Sequence, residues 1–298
     1  MTTTLAPPAR MPIPHARLVA CYAAILGTFP YLTLKIAWVT GGTLGLRDPS
    51  FVDSPTMVFA NLLTAGMDAV AIALAFALTY AWGRRIPAPL VLFPAWAATG
   101  LLAPIVLSSP VIGVDLLSSS TSTLPLHDWV WAVVYGGFTW QGLALLTAFV
   151  FYVRDRWPVL TTTRTRPVGV LGRIAGVAAI GTAALHFAWA AGSTFALVPG
   201  RTAGLSSRFL DIVVGVLTLL AVAALLTLHR GRLWPRLVVV WTGAGSMVGW
   251  GSWMLFTTVL GGPLAEGATL VQAAVYAVQV TVGVLAMVAV LRRIPRTA

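Results

Sequence analysis

From residue 17 to residue 292 the chain reads as a run of apolar stretches, each about 20 residues or longer, broken by short polar segments that hold almost all of its arginine. No other property constrains its folding as tightly. About 20 apolar residues in a helix cross the hydrocarbon core of a bilayer, and lipid offers the backbone no hydrogen-bonding partner, so each stretch must close its own bonds as a helix. Spans are expected near residues 17–40, 55–83, 87–108, 128–153, 168–191, 206–229, 233–259 and 268–292. The predicted fold class is therefore an all-α integral membrane protein with eight transmembrane helices. Pro30, Pro94 and Pro104 fall inside spans and should kink helices without ending them. Composition agrees: with 58% hydrophobic and 9% charged residues, a chain of 298 has too few polar side chains to cover a soluble globule.

The net charge of +11 would point to nucleic acid in a soluble domain, but here the arginines sit between spans, which is the footprint of topology. The expected partner is the lipid bilayer, not nucleic acid. Placing the N-terminus in the cytoplasm puts Arg10, Arg17, Arg84, Arg85, Arg154, Arg156, Arg164, Arg166, Arg173, Arg230, Arg232, Arg236, Arg292, Arg293 and Arg296 inside. Arg47, Arg201 and Arg208 are left outside with Asp48, Asp53, Asp115, Asp128 and Glu266, and Asp155 is the one acid inside. The positive-inside rule then predicts both termini in the cytoplasm and an even number of spans. Cys21 stands alone, so no internal disulfide and no cysteine-based metal site is expected. Leu18-Val19-Ala20-Cys21 looks like a lipoprotein cleavage box, yet no apolar segment precedes it; the first span should be retained behind a Pro-rich, disordered tail at residues 1–16.

Two segments 151 residues apart repeat one pattern. Lys35-Ile-Ala-Trp38-Val-Thr-Gly41-Gly42-Thr43 is followed by Asp68, and His186-Phe-Ala-Trp189-Ala-Ala-Gly192-Ser193-Thr194 by Asp211. Met67-Asp68 aligns with Leu210-Asp211, and Val134-Tyr135 with Val275-Tyr276. Four spans per half keep the orientation of both copies, which predicts two parallel repeats related by an axis along the membrane normal. Their boundaries are residues 17–157 and 168–298, with a cytoplasmic linker at 158–167. From basic residue to aspartate the spacing is 33 in the first half and 25 in the second, a difference assigned to a longer first loop from Gly41 to Ser54 with a turn at Asp48-Pro49-Ser50.

Helical spacing puts Tyr31, Lys35, Trp38 and Gly42 on one face of the first span, and Thr182, His186, Trp189 and Ser193 on the matching face of the fifth. The stripe of the second span is Asn61, Thr64 or Ala65, and Asp68; that of the sixth is Gly204, Ser207, Arg208 and Asp211. An ionisable group within a span is expensive and usually has a partner or a task. The expectation is a Lys35–Asp68 pair and a His186–Asp211 pair, all in the outer half of the bilayer, lining a substrate or ion pathway with Trp38, Trp189 and Asn61. Lys35 is also the only lysine, beside 18 arginines. The competing reading makes these residues packing locks: Lys35 snorkels to the outer headgroups, Asp211 pairs with Arg208 in its own helix, and His186 is a neutral, hydrogen-bonded core residue.

Other polar positions read as structural. Asp128 is a natural N-cap for the fourth span beside the interfacial Trp129 and Trp131; Gln141, Gln272 and Gln279 suit interhelical hydrogen bonds; Ser118 to Thr123 suit a flexible outer loop. The seventh span, with Gly243, Gly245, Gly249 and Gly251 beside Trp250 and Trp253, reads as a close-packing helix before a pocket wall. No Walker loop, H-E-x-x-H, G-x-S-x-G or paired haem-ligand histidines occur, and no cofactor or metal is expected.

Leu185-His186-Phe-Ala-Trp189-Ala-Ala-Gly192-Ser193 resembles the H-x-x-W-A-x-G-G signature of a family of four-helix bacterial membrane proteins of unknown function. Ser193 replaces the second Gly, and the first half keeps Trp38 and Gly41-Gly42 but carries Lys35 in place of the histidine. The resemblance implies a fused tandem of that unit and supplies no activity; abundant Ala and Arg suggest a bacterial, GC-rich genome and so a bacterial cytoplasmic membrane. Three functions stay open: a transporter of small hydrophobic or ionic molecules, a membrane-embedded enzyme using acid/base chemistry on a lipid or isoprenoid-like substrate, and a structural or partner-binding subunit.

Overall fold

The structure, a computed structural model, describes residues 13–118, 125–161, 165–197, 204–230, 232–260 and 269–294. Within them run eight long helices: α1 (His15–Val39), α2 (Pro55–Thr79), α3 (Ala88–Ser118), α4 (Asp128–Arg156), α5 (Val170–Ala190), α6 (Leu205–Leu226), α7 (Leu233–Leu260) and α8 (Leu270–Leu291). All except α7 are long and apolar enough to cross a membrane, which makes this a multi-pass, all-α membrane protein. The helix α7 has the length, but Gly243, Gly245, Ser246, Gly249, Gly251 and Ser252 dilute its apolarity.

Helix limits follow local chemistry. Ser54 caps α2 by accepting the Met57 N–H at 3.2 Å, with Pro55 in the first turn where no N–H is needed. Pro30 lies inside α1, and Pro94, Pro104 and Pro110 inside α3, each removing one ladder bond without ending the helix. For that reason α3 runs ten residues beyond its expected end at 108. Three other expectations shift. The α1 helix begins at His15, inside the predicted tail, of which residues 1–12 lie outside the described residues. The α2 helix ends at Thr79 and gives way to a 3-10 segment at Ala81–Arg85. Within the predicted linker Pro158–Thr161 is a 3-10 turn, while 162–164, and most of the run from Ser118 to Thr123, fall outside the described residues.

The α1 helix packs against α2 and α4, and α3 against α4; α5 packs against α6 and α8, and α7 against α6 and α8. The two groups join where α3 lies on α7 and α6. Gly100 makes the α3–α7 crossing possible: a Cβ there would stand 1.9 Å from the Gly245 carbonyl oxygen, and Gly249 approaches from the next turn. Beside it Trp96 Nε1 donates to the Trp241 carbonyl at 3.0 Å, and Trp241 Nε1 to Thr99 Oγ1 at 3.2 Å.

At one end of the bundle arginines lock the helices. The Arg17 side chain, buried in α1, donates to Asp155 of α4 and, at 2.7 Å, to the Leu78 carbonyl of α2. Arg156 donates to the Ile86 carbonyl at 2.9 Å. At the opposite end the α1–α2 and α3–α4 connections tie together: the His127 N–H donates to Gly45 O at 2.9 Å, and Arg47 meets Asp128 at 3.1 Å. Asp128 is thus the first residue of α4 and an ion-pair partner; His127 occupies the capping position expected for Asp128.

Candidate functional site

The duplicated signature builds the same helix end twice. Trp38 Nε1 donates to the carbonyl of Leu44 at 2.8 Å, and Trp189 Nε1 to that of Phe195 at 2.8 Å, six residues on in each case. The N–H of Gly42 donates to Ala37 O at 2.7 Å and that of Ser193 to Ala188 O at 2.8 Å. Gly41 and Gly192, at φ +85° and +101°, supply the left-handed turn between helix and loop, a conformation only glycine takes without cost. The tryptophan of the motif is therefore an anchor for the departing chain.

The basic residues then meet partners from the next helix. Lys35 Nζ donates to Asn61 Oδ1 at 2.7 Å, with the Tyr31 and Trp38 rings 4.4 and 5.1 Å from the ammonium. His186 Nδ1 lies 2.8 Å from Asp211 Oδ1, while its Nε2 lies 3.0 Å from Gln279 Oε1. Gln279 in turn donates to the Met247 carbonyl at 3.4 Å, and the Trp189 ring meets the imidazole edge-on at 5.0 Å. His186–Asp211 forms as expected from the sequence. Lys35–Asp68 does not.

Counterparts across the halves are thus Asn61 and Asp211, not Asp68 and Asp211. From the basic residue the partner stands 26 positions on in the first half (35 to 61) and 25 in the second (186 to 211). The spacing of 33 came from matching Asp68 two helical turns too deep, and the longer first loop goes with it: 15 residues separate α1 from α2 (40–54) and 14 separate α5 from α6 (191–204). Asp68 stands thirteen positions after Pro55 and eleven before Thr79, at mid-length of α2. Lys35, 7% exposed, is buried with its ammonium in the protein and does not snorkel.

What Asp68 faces is a cavity of about 300 Å³ bounded by α1, α2, α3, α4 and α7. Lys35, Trp38, Asn61 and Asp68 of the predicted site line it, together with Tyr31, Thr64, Gln141 and the rings of Phe51, Trp131, Tyr135, Phe138, Trp250 and Trp253. His186, Asp211 and Trp189 form a separate cluster between α5, α6 and α8. Asp68 is 5% exposed, and its Oδ2 has no hydrogen-bond partner. The buried Trp131 indole N–H is likewise unpartnered on the cavity wall. Both atoms belong to residues that line the cavity.

Sequence reasoning treated Trp131 as interfacial and Gln141 as a packing amide. Both look inward because α4 turns those positions toward α2. The signal was present in part: Gln141 follows Tyr135 and Phe138 at helical spacing on one face.

The helices α2 and α6 pack differently. The α6 helix packs closely along α5, α7 and α3, whereas α2 packs along α1 and touches α3 and α4 sparsely. Gly243 seats α6: a Cβ there would fall 2.3 Å from Leu217 O and 2.6 Å from the Ala221 Cβ. Around the cavity, Met67 and Ala71 of α2 and Ala98 of α3 are lining residues. No family model, no curated protein and no solved structure matches the chain.

Proposed function

We propose that this protein is a carrier that binds a small organic molecule in the α1–α4 cavity and passes it across a membrane. The observation that carries the reading is the unpartnered carboxylate oxygen of Asp68, a buried residue at mid-length of a membrane-length helix that lines a cavity of about 300 Å³. A carboxylate in that position is costly unless a ligand or a coupling ion completes it. Carriers place such polar sites near the middle of the bilayer, between repeated units.

The reading extends to the architecture. We take α7 as an eighth span, the two halves as parallel four-helix repeats (17–157 and 168–298), and the chain as a fused tandem of the four-helix family that the H-x-x-W-A-x-G-G signature resembles. In support, the helix-end hydrogen bonds recur 151 residues apart and the helix pairings of the first half recur in the second. We assign the arginine-rich end to the cytoplasm of a bacterial cell by the positive-inside rule.

The test uses the single native cysteine. Cys21 is fully buried, so a Cys21→Ala background is free of competing thiols. Ala60→Cys and Ala71→Cys each place a thiol on the cavity wall. A carrier that alternates between two faces exposes Ala71→Cys to a membrane-impermeant thiol reagent from either side of oriented vesicles. Labelling from one side alone, or from neither, would rule out alternating access.

A further inference from the structure

The charge pattern of the same cavity goes a step beyond transport and names the ligand. Among its lining residues only Lys35 and Asp68 carry formal charge, so the cavity is electroneutral and its two charges are not in contact. Both have unused capacity. An ammonium has three donors, and Lys35 gives one to Asn61; Asp68 keeps an acceptor oxygen with no partner. Near Lys35, at the arginine-poor end, the Trp131 indole offers a second unfilled donor. Deeper in, the unfilled atom is an acceptor. The cavity is therefore donor-rich at one end, acceptor-rich at the other, and aromatic between.

We propose that it takes a small zwitterion, with an anionic group on Lys35 and Trp131, a protonated amine on Asp68, and an unbranched apolar middle against the aromatic walls. A ligand of single charge would leave the buried site with net charge, which a low-dielectric surrounding penalises; a zwitterion leaves it neutral. Spacing narrows the class. Asn61, which holds the Lys35 ammonium, and Asp68 are seven residues apart on one helix face, about 10 Å at 1.5 Å per residue. Subtracting a hydrogen-bond length at each end leaves about 5 Å between the ligand's charged groups. An ω-amino acid with about three methylenes fits that span better than an α-amino acid, whose charges share one carbon. Tyr31, Trp38 and Phe138 then pack the methylenes, and the cationic end gains from neighbouring ring faces.

This inference rests on the cavity being a ligand site but not on its moving a ligand, and the experiment separates the two. Thermal unfolding of the detergent-purified full chain is followed with 4-aminobutyrate, glycine, butyrate, butylamine and butyramide as probes. The wild type should gain about 3 °C or more at saturating 4-aminobutyrate, and less from each of the others. Lys35→Gln should shift the preference to butylamine and Asp68→Asn to butyrate, a charge-matched exchange that a purely structural role for either residue would not produce. Equal stabilisation of the wild type by butylamine, butyrate or butyramide would overturn the zwitterion assignment. So would no response to any probe from protein that unfolds cooperatively. Stabilisation by 4-aminobutyrate with one-sided labelling of Ala71→Cys would keep this inference and reject the carrier reading.

Discussion

The two halves of the chain build the same helix ends and then diverge one helix face away. In the second half a basic residue, His186, meets a carboxylate directly, both its ring nitrogens are used, and α6 closes over the cluster. In the first half Lys35 meets a neutral amide, the carboxylate sits two turns deeper with an oxygen to spare, and α2 stands away from α3. In the second-half cluster both imidazole nitrogens are bonded within the protein. The first half has left donors and acceptors unfilled around a space. The two arrangements thus differ in packing, with Gly243 of α7 seated tightly against α6 and the cavity left between α2 and its neighbours.

The largest effect is expected from Gly243→Leu. Its side chain has no room against Leu217 O and Ala221, and the substitution should cost about 3 kcal/mol, read as a large fall in the midpoint of thermal unfolding. If the stability is unchanged, Gly243 does not hold the second half shut. His186→Ala comes next. It removes the imidazole partner of Asp211 Oδ1 and of the buried Gln279 Oε1 and should cost about 2 kcal/mol in the same assay.

Smaller effects test the likeness of the halves. Trp38→Phe and Trp189→Phe each delete one indole-to-carbonyl bond of equal length, so both should lower stability by about 1 kcal/mol. Markedly unequal losses would show that the two anchors do different jobs. Smallest should be Asp68→Asn, within about 1 kcal/mol of wild type, because it removes a buried, incompletely bonded charge from a near-isosteric site. A loss of stability as large as that of His186→Ala would place Asp68 among the packing locks and weaken its assignment to the cavity.

Much of this was legible without coordinates. Apolar length and arginine clustering gave the membrane class and the helix limits to within a few residues, except in α3, which runs ten residues past the end expected from span length. The repeated Lys/His-x-x-Trp pattern marked both helix ends. The aspartates were the misleading part. Two Asp residues of similar context invite alignment, yet the position opposite Lys35 is Asn61, and an amide carries no charge to catch the eye.

By itself the sequence determined that the chain is a bundle of membrane helices, because burial of backbone polar groups in lipid leaves a run of apolar residues no alternative. It also determined where four ionisable groups enter the spans. Only the tertiary structure decided which of them meet. Pairing depends on how closely two helix backbones approach, as where Gly243 lets α7 lie against Leu217 and Ala221 of α6. No periodicity in one helix encodes the distance to the next, so the cavity and its unfilled carboxylate appear only when the helices are packed.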